Sequence, residues 1–294
     1  MTRLHPDQRA FYREHGYLLI ENAVGPALLA RLKQDFAAWV EESREHAAAW
    51  GETVDGRPRF DLEPGHGAAG PALRRVNAPV EISDSYLAAT IDSAMVDCVA
   101  ELIGPDVKLH HCKINSKLPG TRTEVKWHQD FPFTPHSNDD LITALLMVDD
   151  VTEENGPLQV VPGSHRGPIH SLWHDGRFTG AVADDVATAC RASATTCTGP
   201  AGSVCLMHTR LLHGSAPNRS AHPRTLHISV YSAADALPCS PNPVPSRYQE
   251  RIVRGQPSDR IRCIDYSIEL PQMPTTASFF DQQAHHEMPA AAAS

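Results

Sequence analysis

The sequence lacks several features whose absence is informative. Its seven cysteines, Cys98, Cys112, Cys190, Cys197, Cys205, Cys239 and Cys263, are odd in number and contain no Cys-x-x-Cys pair. That argues against a disulfide framework and against a cysteine-built zinc site, and reads most simply as reduced, intracellular thiols. No apolar run approaches the roughly 18 residues of a membrane span. The longest, such as Ala144 to Val148, are about five residues. The N-terminal stretch MTRLHPDQRAFYREHGY is charged throughout, without an apolar signal core, and the C-terminal PAAAAS matches no sorting or lipidation motif. A cytoplasmic location is therefore expected. Basic side chains are in deficit, 26 against 35 acidic, for a formal net charge of −9. That speaks against nucleic acid or an anionic membrane surface as the main partner. There is no βαβ rhythm and no glycine-rich phosphate loop, which disfavours a nucleotide-binding α/β fold.

What the chain does have is an ordinary globular composition, 41% hydrophobic and 21% charged over 294 residues. That length buries a sizeable core without covalent staples and allows one large domain or two small ones. Histidine stands out at 17 and proline at 24. Histidine is the commonest metal ligand, so the excess invites a metal hypothesis without locating it.

The first third reads helical. A short helix over Pro6–His15 is capped by Gly16, and Tyr17–Ile20 follows as a strand. From Pro26 to about Ala48, Leu29, Leu32, Phe36 and Val40 recur at helical spacing. Residues 51–83, rich in glycine, proline and charge, read as a long surface loop of the kind that forms lids or binding segments. A further helix is expected over about Ser85 to Ile103, stopped by Gly104-Pro105. Then the period changes to two. Val107–Lys117, 140–149, 158–162, 202–208 and Arg224–Ala233 are short apolar or alternating runs between turn residues. This is the pattern of a mainly β fold, a jelly roll with flanking α-helices. The expected layout is one domain over 1–280, with a helical N-terminal region over 1–105 and a jelly-roll core over 106–270. Residues 281–294 read as a flexible tail.

The sharpest local motif is His128-Gln129-Asp130. On an extended segment, residues two apart point to one side, so both side chains can face one cavity. With one more histidine they would make a face that leaves three positions open on octahedral Fe(II). The pair alone is weak evidence. About two His-x-Asp/Glu matches are expected by chance from this composition, and three occur, at His5–Asp7, His128–Asp130 and His285–Glu287. Only the middle one sits among predicted strands. Eighty-five residues on, His213-Gly-Ser-Ala-Pro-Asn ends a strand-like segment at a tight turn, and Arg224 opens an alternating strand. Pointing inward, Arg224 would offer a permanently charged fork for a carboxylate.

The stretch from Asn115 to Ala233 resembles the phytanoyl-CoA dioxygenase family of Fe(II)- and 2-oxoglutarate-dependent oxygenases. The matching pieces are KWHQDFPF (126–133), DLITALLMVDD (140–150), ENGPLQVVPGSHRG (154–167) and HTRLLHGSAPN (208–218), completed by Arg224. The resemblance implies a double-stranded β-helix fold with Fe(II) held by His128, Asp130 and His213. It implies 2-oxoglutarate as cosubstrate, its far carboxylate on Arg224 with help from Ser215, and Asn115 and Lys117 as further cosubstrate contacts. It also implies that O2 is consumed, that succinate and CO2 are released, and that an unactivated C–H bond is hydroxylated or otherwise oxidised. An aspartate at 130 argues against halogenation, because related halogenases have glycine or alanine there. The chain departs from the animal enzyme at Leu146, where that enzyme has a tryptophan beside the cosubstrate.

The expected partner is a small molecule, with no nucleic acid and no membrane, and the chain is expected as a monomer or homodimer. Arg74, Arg75, Arg166 and Arg177 are candidates to meet an anionic substrate such as a carboxylate, phosphonate or acyl thioester. Phe131 and Phe133 are candidates to line its pocket, and 51–83 and 168–200 to cover it. Two other readings fit the pattern less fully. One is a jelly-roll metalloenzyme that isomerises or hydrolyses without 2-oxoglutarate, and the other a non-catalytic β-sandwich binding protein. Neither accounts for the ordered His–Asp–His–Arg set.

Overall fold

The strand of greatest consequence is apolar at nearly every position because both of its faces are covered. In a computed structural model describing residues 4–121, 123–277 and 279–284, Leu141–Met147 is buried throughout. Its odd-numbered Leu145 and Met147 face one apolar layer and its even-numbered Ile142, Ala144 and Leu146 another. Such a run loses the polar–apolar alternation of a one-sided strand.

The chain opens with α1 (Pro6–His15), β1 (Tyr17–Ile20) and α2 (Pro26–Ser43), followed by β2 (Phe60–Leu62) and β3 (Leu73–Asn77). Next come α3 (Asp84–Ile91), α4 (Ala94–Ile103), β4 (Val107–Lys117), β5 (Val125–His128) and β6 (Leu141–Met147). Then follow β7 (Leu158–Val160), β8 (Trp173–His174), β9 (Arg177–Phe178), α5 (Asp184–Ser193) and β10 (Thr195–Cys197). The last elements are β11 (Val204–His208), β12 (His213–Ser215), β13 (Arg224–Ala233), β14 (Ile252–Arg254) and α6 (Phe280–Ala284).

One sheet runs β1-β11-β6-β13-β4-β3-β2 with β14 added on β4, and a smaller sheet runs β10-β7-β12-β5. The strand pairs within each sheet are antiparallel. Leu145, Met147, Met207 and Ile228 of the large sheet meet Leu158, Val160 and Cys197 of the small one. The product is a jelly-roll sandwich. On the outer face of the large sheet, α2, α3 and α4 bury Leu32, Tyr86 and Met95 against Ile114, Leu146 and Leu206. Each such side chain contributes roughly 1.5–3 kcal/mol of transfer free energy, so the helices close one side of the sheet and leave the other for the pocket.

Four local expectations change. Helix α2 stops at Ser43, five residues short of Ala48. The helix expected over 85–103 is two, because Asp92 leaves helical geometry and Ser93 takes an extended conformation. Both residue types compete for backbone hydrogen bonds and favour helix ends. Residues 51–83 are not one surface loop: β2 and β3 extend the large sheet, and every residue of β3 is buried. At the other end, residues 281–284 continue α6 rather than starting a tail, and Gln283 is buried with its side chain donating to the Gly180 carbonyl. The remainder of the expected tail, 285–294, lies outside the described residues. Among the described residues no helix is long and apolar enough to cross a membrane.

Candidate metal centre

Strand pairing brings the two histidines together. His213 on β12 lies directly opposite His128 on β5, with ring centroids 4.1 Å apart. The approach depends on Gly214, where a Cβ would sit 3.0 Å from the Val125 carbonyl oxygen and 3.3 Å from Trp127 Cδ2. Each ring is anchored in the same way. His128 Nδ1 lies 2.7 Å from the Lys126 carbonyl and His213 Nδ1 2.9 Å from the Leu211 carbonyl. A carbonyl only accepts, so each Nδ1 carries the proton and each Nε2 keeps its lone pair.

Both Nε2 atoms aim at one oxygen. Asp130 Oδ1 is 3.6 Å from His128 Nε2 and 3.7 Å from His213 Nε2. The three ligand atoms lie within 4.8 Å of one another, an arrangement that could hold a metal ion. Strand alternation does not set the position of Asp130, since β5 ends at His128 and Asp130 has helical dihedrals where a short 3-10 turn begins. Two anchors fix it instead. Thr143 Oγ1 on β6 donates to Asp130 Oδ2 at 2.6 Å. The intervening Gln129 turns the other way, donating to the Pro168 and Arg210 carbonyls and accepting from the His170 amide. Burial pushes the His213 imidazole down to about 4, with the neighbouring His128 adding to it. Burial alone would raise the Asp130 carboxyl; His213, His128 and Lys113 outweigh it and hold it well below the usual carboxylate range. The two groups thus stand as a neutral imidazole and a carboxylate, the forms that ligate metal.

A pocket of about 610 Å³ opens beside this triad, lined by Asn115, Lys117, Ser215, Arg224 and the apolar Leu145 and Leu158 among others. All four sequence-derived cosubstrate candidates therefore line it. Arg224 is buried, donates from Nε to the Gly156 carbonyl at 3.0 Å, and has no ion-pair partner among the described residues. Burial draws its guanidinium down to about 10. Gly156 turns there at φ 79°, and a Cβ would meet the Ala216 carbonyl oxygen at 2.5 Å. Lys117 donates to Ser215 Oγ (2.7 Å) and to the Ser215 and Ala216 carbonyls, so Ser215 carries a hydrogen bond that also anchors the lysine. Burial and then Arg224 push the Lys117 ammonium well down. Asn115 Oδ1 is buried without a partner among the described residues.

Other expectations resolve differently. Leu146 faces the helices, not the pocket; its neighbour Leu145 is the lining residue. Arg166 and Arg177 are exposed, Arg74 is ion-paired to Asp61, and only Arg75 of the four reaches a pocket shared with the triad. Phe133 lines that pocket while Phe131 is fully buried core. The His5–Asp7 pair is exposed at the start of α1, and His285–Glu287 lies outside the described residues. Sequence reasoning missed Thr143, Lys113 and Phe279. Lys113 was detectable, being two and four residues from Asn115 and Lys117 on one strand face. Nothing local marked Thr143 or Phe279.

The family profile of phytanoyl-CoA dioxygenase matches residues 12–226. A probable alpha-ketoglutarate-dependent hypophosphite dioxygenase of Stutzerimonas stutzeri is 31% identical over 271 residues, covering 90% of this chain and 91% of that protein. An ectoine dioxygenase of Bordetella parapertussis is 29% identical over 250 residues, 79% of this chain and 76% of the relative. Among solved structures, EctD from S. alaskensis in its apoform superposes with a TM-score of 0.65 at 22% identity, over 87% of this chain and 88% of that one. The chain belongs to the phytanoyl-CoA dioxygenase family of iron- and 2-oxoglutarate-dependent oxygenases.

Proposed function

We propose that His128, Asp130 and His213 hold Fe(II), and that Arg224 with Ser215 binds the far carboxylate of 2-oxoglutarate. The enzyme then oxidises a C–H bond, or by analogy with the hypophosphite relative a P–H bond, of a small substrate. The observation that carries this reading is the convergence of two Nε2 atoms and one carboxylate oxygen, at the wall of a pocket containing an arginine with no ion-pair partner among the described residues. Arg224 also favours it over a metal-dependent isomerase or hydrolase, which has no dicarboxylate to place. When bound, Fe(II) and 2-oxoglutarate supply the oxidising power, with O2 consumed and succinate and CO2 released.

The chain's own residues do the rest. The Lys126 and Leu211 carbonyls fix both imidazole tautomers, and Thr143 turns one carboxylate oxygen of Asp130 away so that the other faces the histidines. Leu145, Leu158, Met207 and Leu226 keep the cosubstrate end dry, which strengthens the pull of Arg224 on a carboxylate. Lys117 supports Ser215 and adds positive charge, and Asn115 offers an unused amide oxygen to the same space. The reading includes one domain over 1–280 acting on a small molecule in the cytoplasm, as a monomer or homodimer, with no nucleic-acid or membrane partner.

Anaerobic titration with Fe(II) tests it. The wild type is expected to take up one equivalent and, with 2-oxoglutarate, O2 and a substrate, to form succinate. Hypophosphite and ectoine, the named substrates of the relatives, are the first to try. His128→Ala and His213→Ala should lose at least about 100-fold in iron affinity, beyond the 10–100-fold typical of residues that merely orient ligands. A His128→Ala protein that binds iron and turns over like the wild type overturns the assignment.

A further inference from the structure

Two cations in the neighbouring pocket, Arg75 and Lys113, make no ion pair with any carboxylate among the described residues; Asp61 and Asp130 act on them only at longer range. Arg75 on β3 pairs in register with Asn115 on β4, and Asn77 with Lys113, which places Arg75 and Lys113 near one another on the inner face of the sheet. Both line a second pocket, of about 540 Å³, that shares His128 and Asp130 with the first. Arg75 lines only the second pocket; Lys113 lines both, but lies four residues along β4 from Lys117, about 13 Å at strand rise.

Arg75 is buried and donates from Nε to Asn77 Oδ1 at 2.8 Å, while its Nη1 is buried with no hydrogen-bond partner among the described residues. Lys113 has no hydrogen bond or ion pair among them; its ammonium lies 5.7 Å from the centre of the Phe279 ring, which also carries the Arg75 guanidinium at 5.4 Å. The adjacent Arg74 shows how this fold satisfies a buried cation when no ligand is involved, with Nε 2.6 Å from Asp61 Oδ2. Asp61 is thereby committed, and Asp130 is committed to Thr143 and the metal site. A desolvated charge without a partner is costly, and two together repel. A site that keeps both in place, with a nitrogen of one aimed at no protein acceptor, is built for an anion that arrives from outside.

2-Oxoglutarate does not meet that need, because the oxygenase reading, on which this inference rests, already places its far carboxylate at Arg224 and Ser215. We infer that Arg75 and Lys113 bind the anionic head of the substrate, a small molecule carrying one carboxylate or one phosphorus oxyanion. Arg75 offers a planar fork that suits either group, and Lys113 adds a point charge. The rest of that pocket is largely apolar, with Phe133, Val230, Pro243, Val244 and Pro274, so the body attached to the head is short and carries little polarity. Holding the head on β3 and β4 turns the remainder toward the His128–Asp130–His213 face, where the bond to be oxidised must lie.

Calorimetric titration tests this on protein held anaerobically with Fe(II) and 2-oxoglutarate, and in parallel on metal-free protein. The probes are propionate, methylphosphonate, inorganic phosphite and the neutral propionamide. At least one oxyanion is expected to bind and propionamide to bind at least about tenfold more weakly. Arg75→Gln and Lys113→Met should each weaken the oxyanion by about tenfold or more, the scale of a charge-assisted hydrogen bond. Arg75→Lys, which keeps the charge without the fork, should fall between. Iron and 2-oxoglutarate affinities should be unchanged in all three variants, which separates this role from a folding defect. Propionate binding without the phosphorus anions, or the reverse, assigns the head group and supports the inference. Equal oxyanion binding in wild type and variants, or no oxyanion binding in either protein form, overturns it. Failure of the wild type to take up Fe(II) overturns the oxygenase reading instead, and the metal-free titration still decides the oxyanion site.

Discussion

The two adjoining pockets each hold a pair of cations, Lys117 and Arg224 in one and buried Arg75 with half-buried Lys113 in the other, and they satisfy them differently. At the cosubstrate end, Lys117 is ringed by two carbonyls and a hydroxyl and Arg224 leans on the Gly156 carbonyl. At the other end, among the described residues, the Arg75 guanidinium donates to one amide oxygen and the Lys113 ammonium meets an aromatic face. The first is built by β4, β12 and β13, the strands that carry Lys117, Ser215 and Arg224. The second draws on β3 and on Phe279 from the last described stretch of chain, segments that local sequence assigns to a loop and its neighbourhood to a tail. On the reading proposed above, the cosubstrate is anchored by the inner strands alone, while the substrate is met by β4 together with β3 and Phe279.

Three further experiments would break or sharpen that contrast. The largest effect is expected from Arg224→Met, which should raise the Kd for 2-oxoglutarate about 100-fold while leaving Fe(II) uptake and oxyanion binding at Arg75 and Lys113 as they are. Loss of oxyanion binding in this variant would show that the two ends are one site. Next, Thr143→Val keeps the shape of the side chain but frees Asp130 Oδ2. It is expected to weaken iron about tenfold by competition calorimetry, and to lower turnover with any substrate, because Asp130 lines both pockets. An effect on 2-oxoglutarate alone would contradict that.

The smallest effect concerns stability and not binding. Burial holds His213, His208 and His136 near 4 and His227 near 3 in the folded chain, below the ordinary value near 6.5. As pH falls through that window the unfolded chain takes up protons that the folded one refuses, so folding stability drops from about pH 6.5 toward pH 4. Thermal melts of metal-free protein across this range should fall monotonically. A flat profile would mean that these rings are not buried as described. Arg75, Arg224 and Lys113 titrate above this window, so they do not produce the loss.

Much of this molecule can be read along the chain. The strands β4, β6, β11 and β13 announce themselves because their burial pattern is written in consecutive residues, and α1 and β1 fall where periodicity and Gly16 put them. Arg224 opening an alternating strand and His213 ending a short one are likewise visible there. The rest is hidden for identifiable reasons. β2 and β3 are short and carry buried charges, Asp61 on the first and Arg74 and Arg75 on the second, so they resemble a polar loop unless one knows that Asp61 pairs Arg74 and that Arg75 lines a pocket. Asp130 faces the site for a reason other than strand alternation: a turn and Thr143 orient it. Leu145 and Leu146 differ only in which face of β6 they occupy, a register question that one residue of slippage reverses.

Sequence alone determined the class of fold, the chemical type of the candidate ligands and the deficit of positive charge, because each is a property of composition or of a period only a few residues long. Tertiary structure decided that the His128–Asp130 pair meets a second histidine, which arginine of an adjacent pair has an ion-pair partner among the described residues, and which aromatic ring lines both pockets. Those outcomes depend on strand partners separated by as many as 85 residues, as His128 is from His213, and on which faces are desolvated together. Neither pairing nor desolvation exists in the chain until the two sheets have closed on each other.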